Sequence, residues 1–278
     1  MSWSNSQSNE NDRPLSAEPV GMIAVDLDGT LLGSDGSINA PSAQALMEIA
    51  AKGIRVVLAS GRSPQSMLRF QEALGLDSLM IAHNGAVVFD SIENKYHVHE
   101  TMPGPTARRV VELARQVDQK VAVGVDVNGK TYTDTAKSQE ATSKSNNAVG
   151  QLDKVLDRAV TKVMMVGGPD VLGGIMMSLQ SKMADQVGFS FGDLKLLQVV
   201  QGGVDKAKAL QYVANHYRVA QQGVMAVGDA PNDVGMIKWA GYGVALSNGW
   251  QEVRDAALCT CASNDNGGVA EAVKKFVM

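Results

Sequence analysis

The sequence predicts an α/β protein: a doubly wound parallel sheet, of the Rossmann-like kind, with a second α/β unit inserted into it. Short apolar runs alternate with helix-forming segments near both ends of the chain, which is typical of βαβ units. The middle of the chain instead carries hairpin signals such as Asn128-Gly129. Polar and charged residues follow several apolar runs directly, where open α/β sheets bind their ligands.

The first predicted strand is Val20–Val25, a run of small and β-branched residues. Asp26 and Asp28 follow it, and side chains two positions apart in extended chain point the same way. A calcium loop would need Gly at its sixth position and Glu at its twelfth, where this chain has Leu31 and Ser37. A plain Asp-Gly turn remains the simpler alternative at this point.

Alternating helices and strands continue the parallel pattern on both sides of the middle region. The first group is helix Pro41–Lys52, strand Ile54–Ala59, helix Pro64–Leu74 and strand Leu79–Ala82. The second group is helix Asp205–Arg218, strand Val224–Val227, helix Asp233–Ala240, strands Tyr242–Leu246 and Ala257–Cys261, and a helix from Val269.

Residues 87–200 are predicted to form the inserted α/β cap, because hairpins occur there and not in the flanks. The remaining segments, 20–86 and 201–278, then form the core domain, and residues 1–19 form a flexible tail. The chain should cross between the two units near Ala86–Asp90 and Gln198–Gly203. The polar segment Ser138–Asn147 is expected to be a loop within the cap.

Composition narrows the class of protein. The 278 residues suggest two domains, and the net charge of −4 argues against nucleic acid or an anionic membrane as the main partner. Cys259 and Cys261 are separated only by Thr260, and a disulfide over so short a span would be strained. We therefore expect free thiols, which fit a reducing compartment. With no apolar signal-like segment at the start, we expect a cytoplasmic protein; the oligomeric state stays open.

Four carboxylates are expected to converge at one edge of the predicted sheet: Asp26, Asp28, Asp229 and Asp233. Two such charges ~4 Å apart repel by about 4 kcal/mol at an effective dielectric constant of 20. A hard cation with oxygen ligands, Mg²⁺, would relieve that repulsion. Ser60-Gly61 at a helix entry and Lys206 at a helix start would suit phosphate. Together these groups indicate phosphoryl transfer through an aspartyl-phosphate.

The same motifs, in this order, resemble the haloacid dehalogenase superfamily. They are Asp26-Leu-Asp28-Gly29-Thr30, Ser60-Gly61-Arg62, Lys206 and Gly228-Asp229-x-x-Asn232-Asp233. The large insertion, preceded by Asn84-Gly85-Ala86, is similar to that of the Cof-like phosphatases. Pro231 within the fourth motif is a mild departure from the family pattern.

The resemblance implies a role for each matching residue. Asp26 corresponds to the nucleophile, and Asp28 to the general acid/base that also binds Mg²⁺ through its backbone carbonyl. Asp229 corresponds to a metal ligand, and Asp233 to a residue that supports the metal. The expected phosphate contacts are Ser60, Gly61, Lys206, Asn232 and the backbone of Leu27.

The expected function is therefore a Mg²⁺-dependent phosphatase of small phosphorylated metabolites, such as a sugar phosphate, a nucleotide or pyridoxal phosphate. A phosphomutase could use the same residues, and product analysis would separate the two. A non-catalytic phosphate sensor is the third alternative, but it would be expected to have lost Asp26 or Asp28. The fold alone does not fix the substrate.

Overall fold

The computed structural model describes residues 18–134, 147–149, 152–193 and 195–278. The predicted tail, apart from Glu18 and Pro19, lies outside the described residues. The predicted loop Ser138–Asn147 also lies outside them, apart from its last residue, which begins a strand.

The described strands, in chain order, are β1 (Met22–Val25), β2 (Arg55–Leu58), β3 (Met80–Ala82), β4 (Val87–Asp90), β5 (Lys95–His99), β6 (Ala122–Val127), β7 (Lys130–Thr133), β8 (Asn147–Val149), β9 (Lys162–Val166), β10 (Val187–Asp193), β11 (Leu196–Gln201), β12 (Val224–Gly228), β13 (Tyr242–Leu246) and β14 (Cys259–Cys261). The described helices are α1 (Ala40–Ala51), α2 (Pro64–Ala73), α3 (Gly104–Val117), α4 (Leu152–Val155), α5 (Pro169–Met183), α6 (Lys206–His216), α7 (Val234–Trp239), α8 (Gln251–Ala256) and α9 (Gly268–Phe276).

The central sheet has the order β14-β13-β12-β1-β2, and all of its neighbouring strands are parallel. Alternate residues of β1 enter opposite cores: Ile23 and Val25 pack with α1 and α9, whereas Met22 and Ala24 pack with α6 and α7. Helices therefore cover both faces of the sheet, which confirms the predicted doubly wound fold.

A second sheet of six strands, in the order β10-β11-β9-β6-β7-β8, lies within the inserted part of the chain. Its apolar face packs against α3 and α5 in a hydrophobic cluster separate from the two cores of the central sheet. Val125, Val163 and Val199 belong to that cluster. The alternate residues Asp126, Lys162 and Gln198 are polar yet buried. Strand alternation places them on the opposite face of the sheet.

The hairpin β4–β5 pairs with β3 in an antiparallel three-stranded sheet. A parallel bridge between Ala59 and Ile81 joins this sheet to the end of β2. Val87 and Phe89 pack in one core of the central sheet and Val88 in the other. The expected crossing at Ala86–Asp90 does not fit this pairing, and we propose instead that the inserted unit begins after β5.

Most predicted elements lie within about two residues of the observed ones. The sequence analysis does not predict α4, α8 or β8. It also groups β3 with a purely parallel sheet, although the longer pairing of β3 is antiparallel. Cys259 and Cys261 are free thiols, as expected, and Cys259 is half-buried. Among the described residues, no helix has both the length and the apolarity needed to cross a membrane.

Candidate active site

The predicted site residues come together at the carboxyl ends of the central strands. Asp26 follows β1, Ser60 follows β2 and Asp229 follows β12. Lys206 is the first residue of α6, whose preceding residue Asp205 caps the helix by accepting the N–H of Lys208 at 2.7 Å.

Lys206 is the centre of the cluster and is 1% exposed. Its Nζ donates to Oδ1 of Asp26 and to Oδ1 of Asp233, each at 2.6 Å. Burial opposes the charge of Lys206, but Asp233 and Asp26 outweigh that effect and raise its pKa above the ordinary value. The ammonium is therefore fixed in its charged form between two carboxylates.

Carboxylate oxygens of Asp26, Asp229 and Asp233 all lie within 4.8 Å of one another. Burial raises the pKa of Asp26 well above its usual range; Lys206 opposes this, and the charges of Asp233 and Asp229 add to it. Burial and the charge of Asp233 likewise raise the pKa of Asp229 to about 7. The cluster thus carries more negative charge than one lysine neutralises.

Asp233 and Asp229 are held differently. Oδ2 of Asp233 accepts the backbone N–H groups of Asp229 at 3.1 Å and Ala230 at 3.0 Å, while its Oδ1 accepts Lys206. Thr30 donates its hydroxyl to Oδ1 of Asp229 at 2.5 Å. Both oxygens of Asp233 are used within the protein, so this residue orders the loop after β12, whereas Asp229 keeps an oxygen for a ligand.

Gly29 is required by the close approach of Asp229. Its φ is +82°, and a Cβ there would lie 2.4 Å from Oδ2 of Asp229. Asn248 also donates to the Gly29 carbonyl at 2.8 Å. Any larger residue would displace the turn, the Asp229 carboxylate, or both.

We expect Gly29→Ala to lower turnover about a hundredfold, because misplacement of a reacting group by ~1 Å costs that much. Gly36→Ala is the matched control: Gly36 also has a positive φ of +77°, but nothing lies within 4 Å of its Cβ position. The measurement is kcat for both variants beside their melting temperatures. Equal losses of activity in the two variants would show that the clash with Asp229 is unimportant.

Asp28 lies on the open side of the site and is paired with Arg62. The guanidinium donates from Nε to Oδ2 at 2.7 Å and from Nη2 to Oδ1 at 2.6 Å. The Asp28 side chain is 50% exposed, in contrast to the buried Asp26. The hydrogen bond with Asp28 is the main cause that raises the pKa of Arg62; burial opposes it, and the charges of Asp28 and Asp26 add to it.

The loop after β2 is fixed through its carbonyl groups. The N–H of Asn84 donates to the Ser60 carbonyl at 3.1 Å and that of His83 to the Arg62 carbonyl at 2.9 Å. Lys162 Nζ donates to the Gly61 carbonyl at 2.7 Å. The Ser60 hydroxyl oxygen accepts the Arg62 N–H at 3.2 Å.

Asn232 and Leu27 are the remaining predicted site residues. The Asn232 amide donates to Oδ1 of Asn84 at 2.9 Å, and its own Oδ1 is buried without a hydrogen-bond partner. The Leu27 side chain is fully buried in the core, so only its backbone can face a ligand.

The motifs did not single out Thr30, Asn84 or Lys162 as contributors. Thr30 lies in the motif that begins at Asp26, and Asn84 lies in Asn84-Gly85-Ala86. Their positions just after predicted strands could have indicated a place in the site. Lys162 is 4% exposed, within the apolar strand β9. The sequence feature that could have indicated Lys162 is a charged residue in a strand whose other residues are apolar and predict burial.

The three clustered carboxylates have the donor chemistry of a site for a hard divalent cation. Burial is the main cause that raises the pKa of Asp26 and of Asp229, and the neighbouring carboxylates add to it; a bound cation would favour the charged forms of both groups. Asp28 lies outside this carboxylate group. Its backbone carbonyl, and not its side chain, is the expected metal ligand.

Comparison with known proteins gives consistent results over nearly the whole chain. The family model for haloacid dehalogenase-like hydrolases matches residues 23–273. The 5-amino-6-(5-phospho-D-ribitylamino)uracil phosphatase YitU of Bacillus subtilis is 26% identical over 92% of this chain and 97% of its own length.

Two solved structures from Bacteroides thetaiotaomicron show the same fold. A haloacid dehalogenase-like hydrolase superposes with a TM-score of 0.80 at 26% identity, over 92% of this chain and 99% of its own. A phosphatase of the haloalkanoate enzyme superfamily superposes with a TM-score of 0.79 at 25% identity, over 95% and 97%.

Proposed function

We propose that this chain, a phosphatase that belongs to the Cof-like group of the haloacid dehalogenase-like hydrolases, releases phosphate from small phosphorylated metabolites with the help of Mg²⁺. The observation that carries this proposal is the buried carboxylate of Asp26, held at 2.6 Å by the Lys206 ammonium. An ordered carboxylate beside a fixed cation suits nucleophilic attack on a phosphorus atom.

In the proposed reaction a carboxylate oxygen of Asp26 attacks the phosphorus, and the bond from phosphorus to the ester oxygen breaks. Asp28, on the open side of the site, must first leave its pairing with Arg62 and carry a proton, which it then gives to the departing alcohol. The Asp28 carboxylate then takes a proton from water, which attacks the aspartyl-phosphate and releases inorganic phosphate. Asp26 is restored as a carboxylate, and Asp28 regains its proton.

The chain's other residues bind and orient the phosphate. The Ser60 hydroxyl, the backbone N–H of Gly61 and the Asn232 amide are the proposed donors, together with the backbone of Leu27. Lys206 keeps one Asp26 oxygen in place and offsets charge on the phosphoryl group.

Mg²⁺ would be held by Asp26, Asp229 and the backbone carbonyl of Asp28, with Asp233 ordering the loop that carries Asp229. When bound, the cation supplies charge neutralisation that lets an anionic nucleophile approach an anionic phosphoryl group. The closeness of the carboxylate oxygens of Asp26, Asp229 and Asp233, all within 4.8 Å of one another, supports this assignment.

Sugar phosphates, nucleotides and pyridoxal phosphate are the proposed substrate classes. The B. subtilis relative acts on a phosphorylated ribitylaminouracil, which is a small phosphorylated metabolite of the same kind. The two free cysteines fit a cytoplasmic setting, which we propose on that ground.

We expect purified protein to release inorganic phosphate from several members of a phosphometabolite panel in the presence of Mg²⁺. EDTA should stop the release, and added Mg²⁺ should restore it, because the carboxylate cluster needs its cation. The measurement is colorimetric phosphate detection with a no-enzyme control. Transfer of phosphate between sugar positions without release would favour a phosphomutase, and full activity in EDTA would contradict the assignment of the metal site.

A further inference from the structure

Four polar residues of the six-stranded sheet meet the loops of the candidate active site. Asp126 and Lys162 are register partners on β6 and β9, and Ser190 and Gln198 are register partners on β10 and β11. The Asn84 amide donates to the Ser190 hydroxyl at 2.9 Å. The polar face of this sheet is therefore in direct contact with the residues that follow β3.

Lys162 makes the most direct of these contacts with the loop after β2, which contains Ser60, Gly61 and Arg62. It is 4% exposed, and its Nζ donates to the Gly61 carbonyl at 2.7 Å and to Oε1 of Gln198 at 3.1 Å. Burial lowers the pKa of Lys162 to about 8, and the charge of Asp126 opposes that shift. A buried ammonium is costly unless hydrogen bonds compensate it, and the Gly61 carbonyl is one of the two acceptors that compensate this one.

The Gly61 carbonyl controls the next group in the loop. The peptide unit between Gly61 and Arg62 is planar and trans, so its C=O and N–H point in opposite directions. When Lys162 fixes the carbonyl, the Arg62 N–H is fixed too, and it donates to the Ser60 hydroxyl oxygen at 3.2 Å. The Ser60 proton is then directed away from Arg62 and is left for a phosphate oxygen.

Close packing leaves the loop little freedom on this side. A Cβ at Gly61 would lie 2.9 Å from Oδ1 of Asn84 and 3.1 Å from Oε1 of Gln198. Gly61 therefore packs closely between Asn84, which follows β3, and Gln198 of the six-stranded sheet. Its other two carbonyls, those of Ser60 and Arg62, are held by the backbone N–H groups of Asn84 and His83.

We propose that Lys162 is a positioning residue for phosphate binding: by holding the Gly61 carbonyl from the inserted sheet, it sets the orientation of the Ser60 hydroxyl. The proposal rests on the proposed phosphatase function, because it assigns the Ser60 loop to the phosphate. It follows that the inserted unit helps to position the phosphate site.

The charges around Lys162 define the variants needed. Asp126 is 3% exposed and is the neighbouring carboxylate whose charge acts on Lys162. His83 Nε2 lies 3.8 Å from Oδ2 of Asp126, and burial lowers the pKa of His83 well below its usual value, so that the ring stays neutral. Lys162→Met alone would leave Asp126 as an unpaired buried charge and would destabilise the fold. The double variant Asp126→Asn/Lys162→Met removes both charges together.

The experiment compares wild type, Lys162→Met, Lys162→Arg and the double variant for binding of inorganic phosphate by calorimetry and for kinetics on the best ester. We expect Lys162→Met to weaken phosphate binding and raise KM at least about tenfold, with a smaller change in kcat, because a binding interaction is lost. The double variant should recover the melting temperature but not the phosphate affinity, and Lys162→Arg should recover much of the affinity. Lys182→Met, at an exposed lysine of the same unit, should change neither quantity.

The double variant decides between positioning and charge balance. Phosphate affinity and KM equal to wild type in a folded double variant would overturn the proposal, since Lys162 would then matter only as the partner of Asp126. A wild-type protein that binds inorganic phosphate but hydrolyses no ester would contradict the proposed function alone. The comparison of phosphate affinities would still test Lys162 in that case.

Discussion

Replacing Asp26 by Asn should abolish phosphate release, with a loss of about 10⁴-fold or more in kcat, while the protein stays folded. The amide keeps the shape of the carboxylate but is not a nucleophile, and removal of a covalent nucleophile costs on this order or more. Asp26 directly follows β1 and is 4% exposed. The measurement is kcat under saturating substrate, with circular dichroism to verify the fold.

A matched control for Asp26→Asn is Asp77→Asn, which makes the same chemical change at an exposed site. The Asp77 side chain is 74% exposed and pairs with Arg55 at 3.2 Å on the surface. Such a surface pair contributes little to stability, so this variant should keep full activity. Substantial turnover by a well-folded Asp26→Asn protein would exclude the covalent mechanism.

Lys206→Met should be the most destabilising single substitution in the site. The change removes the shared partner of Asp26 and Asp233, both of which lie in the protein interior at 2.6 Å from Nζ. Breaking a buried ion pair by removing one partner costs about 3–5 kcal/mol, because the remaining charge is uncompensated. Activity should fall with stability, since Asp26 loses the group that orients it.

The free energy of unfolding, measured by urea denaturation, tests this expectation. Lys208→Met is the control on the same helix: Lys208 is exposed and donates to the Gly203 carbonyl at 2.6 Å. A surface change of this kind should stay within about 0.5 kcal/mol of wild type. A loss below ~1 kcal/mol for Lys206→Met would mean that the two aspartates find other compensation.

Local sequence patterns were sufficient to predict most of the fold. Apolar runs such as Val224–Val227 end in charged residues, and the parallel arrangement follows from the helices between them. The same patterns placed Asp26, Ser60, Lys206 and Asp229 at one end of the sheet, because parallel strands share a carboxyl edge. Whether each of these residues acts as proposed remains a prediction.

The hairpin β4–β5 shows where local patterns were insufficient. A hairpin at this position predicts that β4 and β5 belong to the inserted unit. Its true neighbour is β3, which is tied to the parallel strands by the Ala59–Ile81 bridge and by a hydrogen bond of 2.8 Å from the Ser60 N–H to the Ile81 carbonyl. The pairing of β3 with β4 is local in sequence, but the attachment of β3 to the end of β2 joins separate segments, which a pattern of alternating residues does not specify.

Buried polar residues were the other gap. Asp126 and Lys162 are separated in sequence, and either one alone predicts an exposed strand position. Their register pairing across β6 and β9 shows that the two opposite charges are neighbours on the sheet. The contact of Lys162 with Gly61 depends further on how two separate sheets meet, and no local feature of either segment encodes it.

The order of strands in the central sheet has a consequence for how the chain folds during synthesis. On one side β1 pairs with β12, so this side of β1 stays unpaired until Val224 and the rest of β12 have been synthesised. The six-stranded sheet and its hydrophobic cluster are formed by residues 102–201 and include none from the last quarter of the chain. We expect the inserted unit to gain its structure on the ribosome first. The N-terminal strand β1 is synthesised earlier, but its edge would stay unpaired and accessible to chaperones until β12 leaves the ribosome.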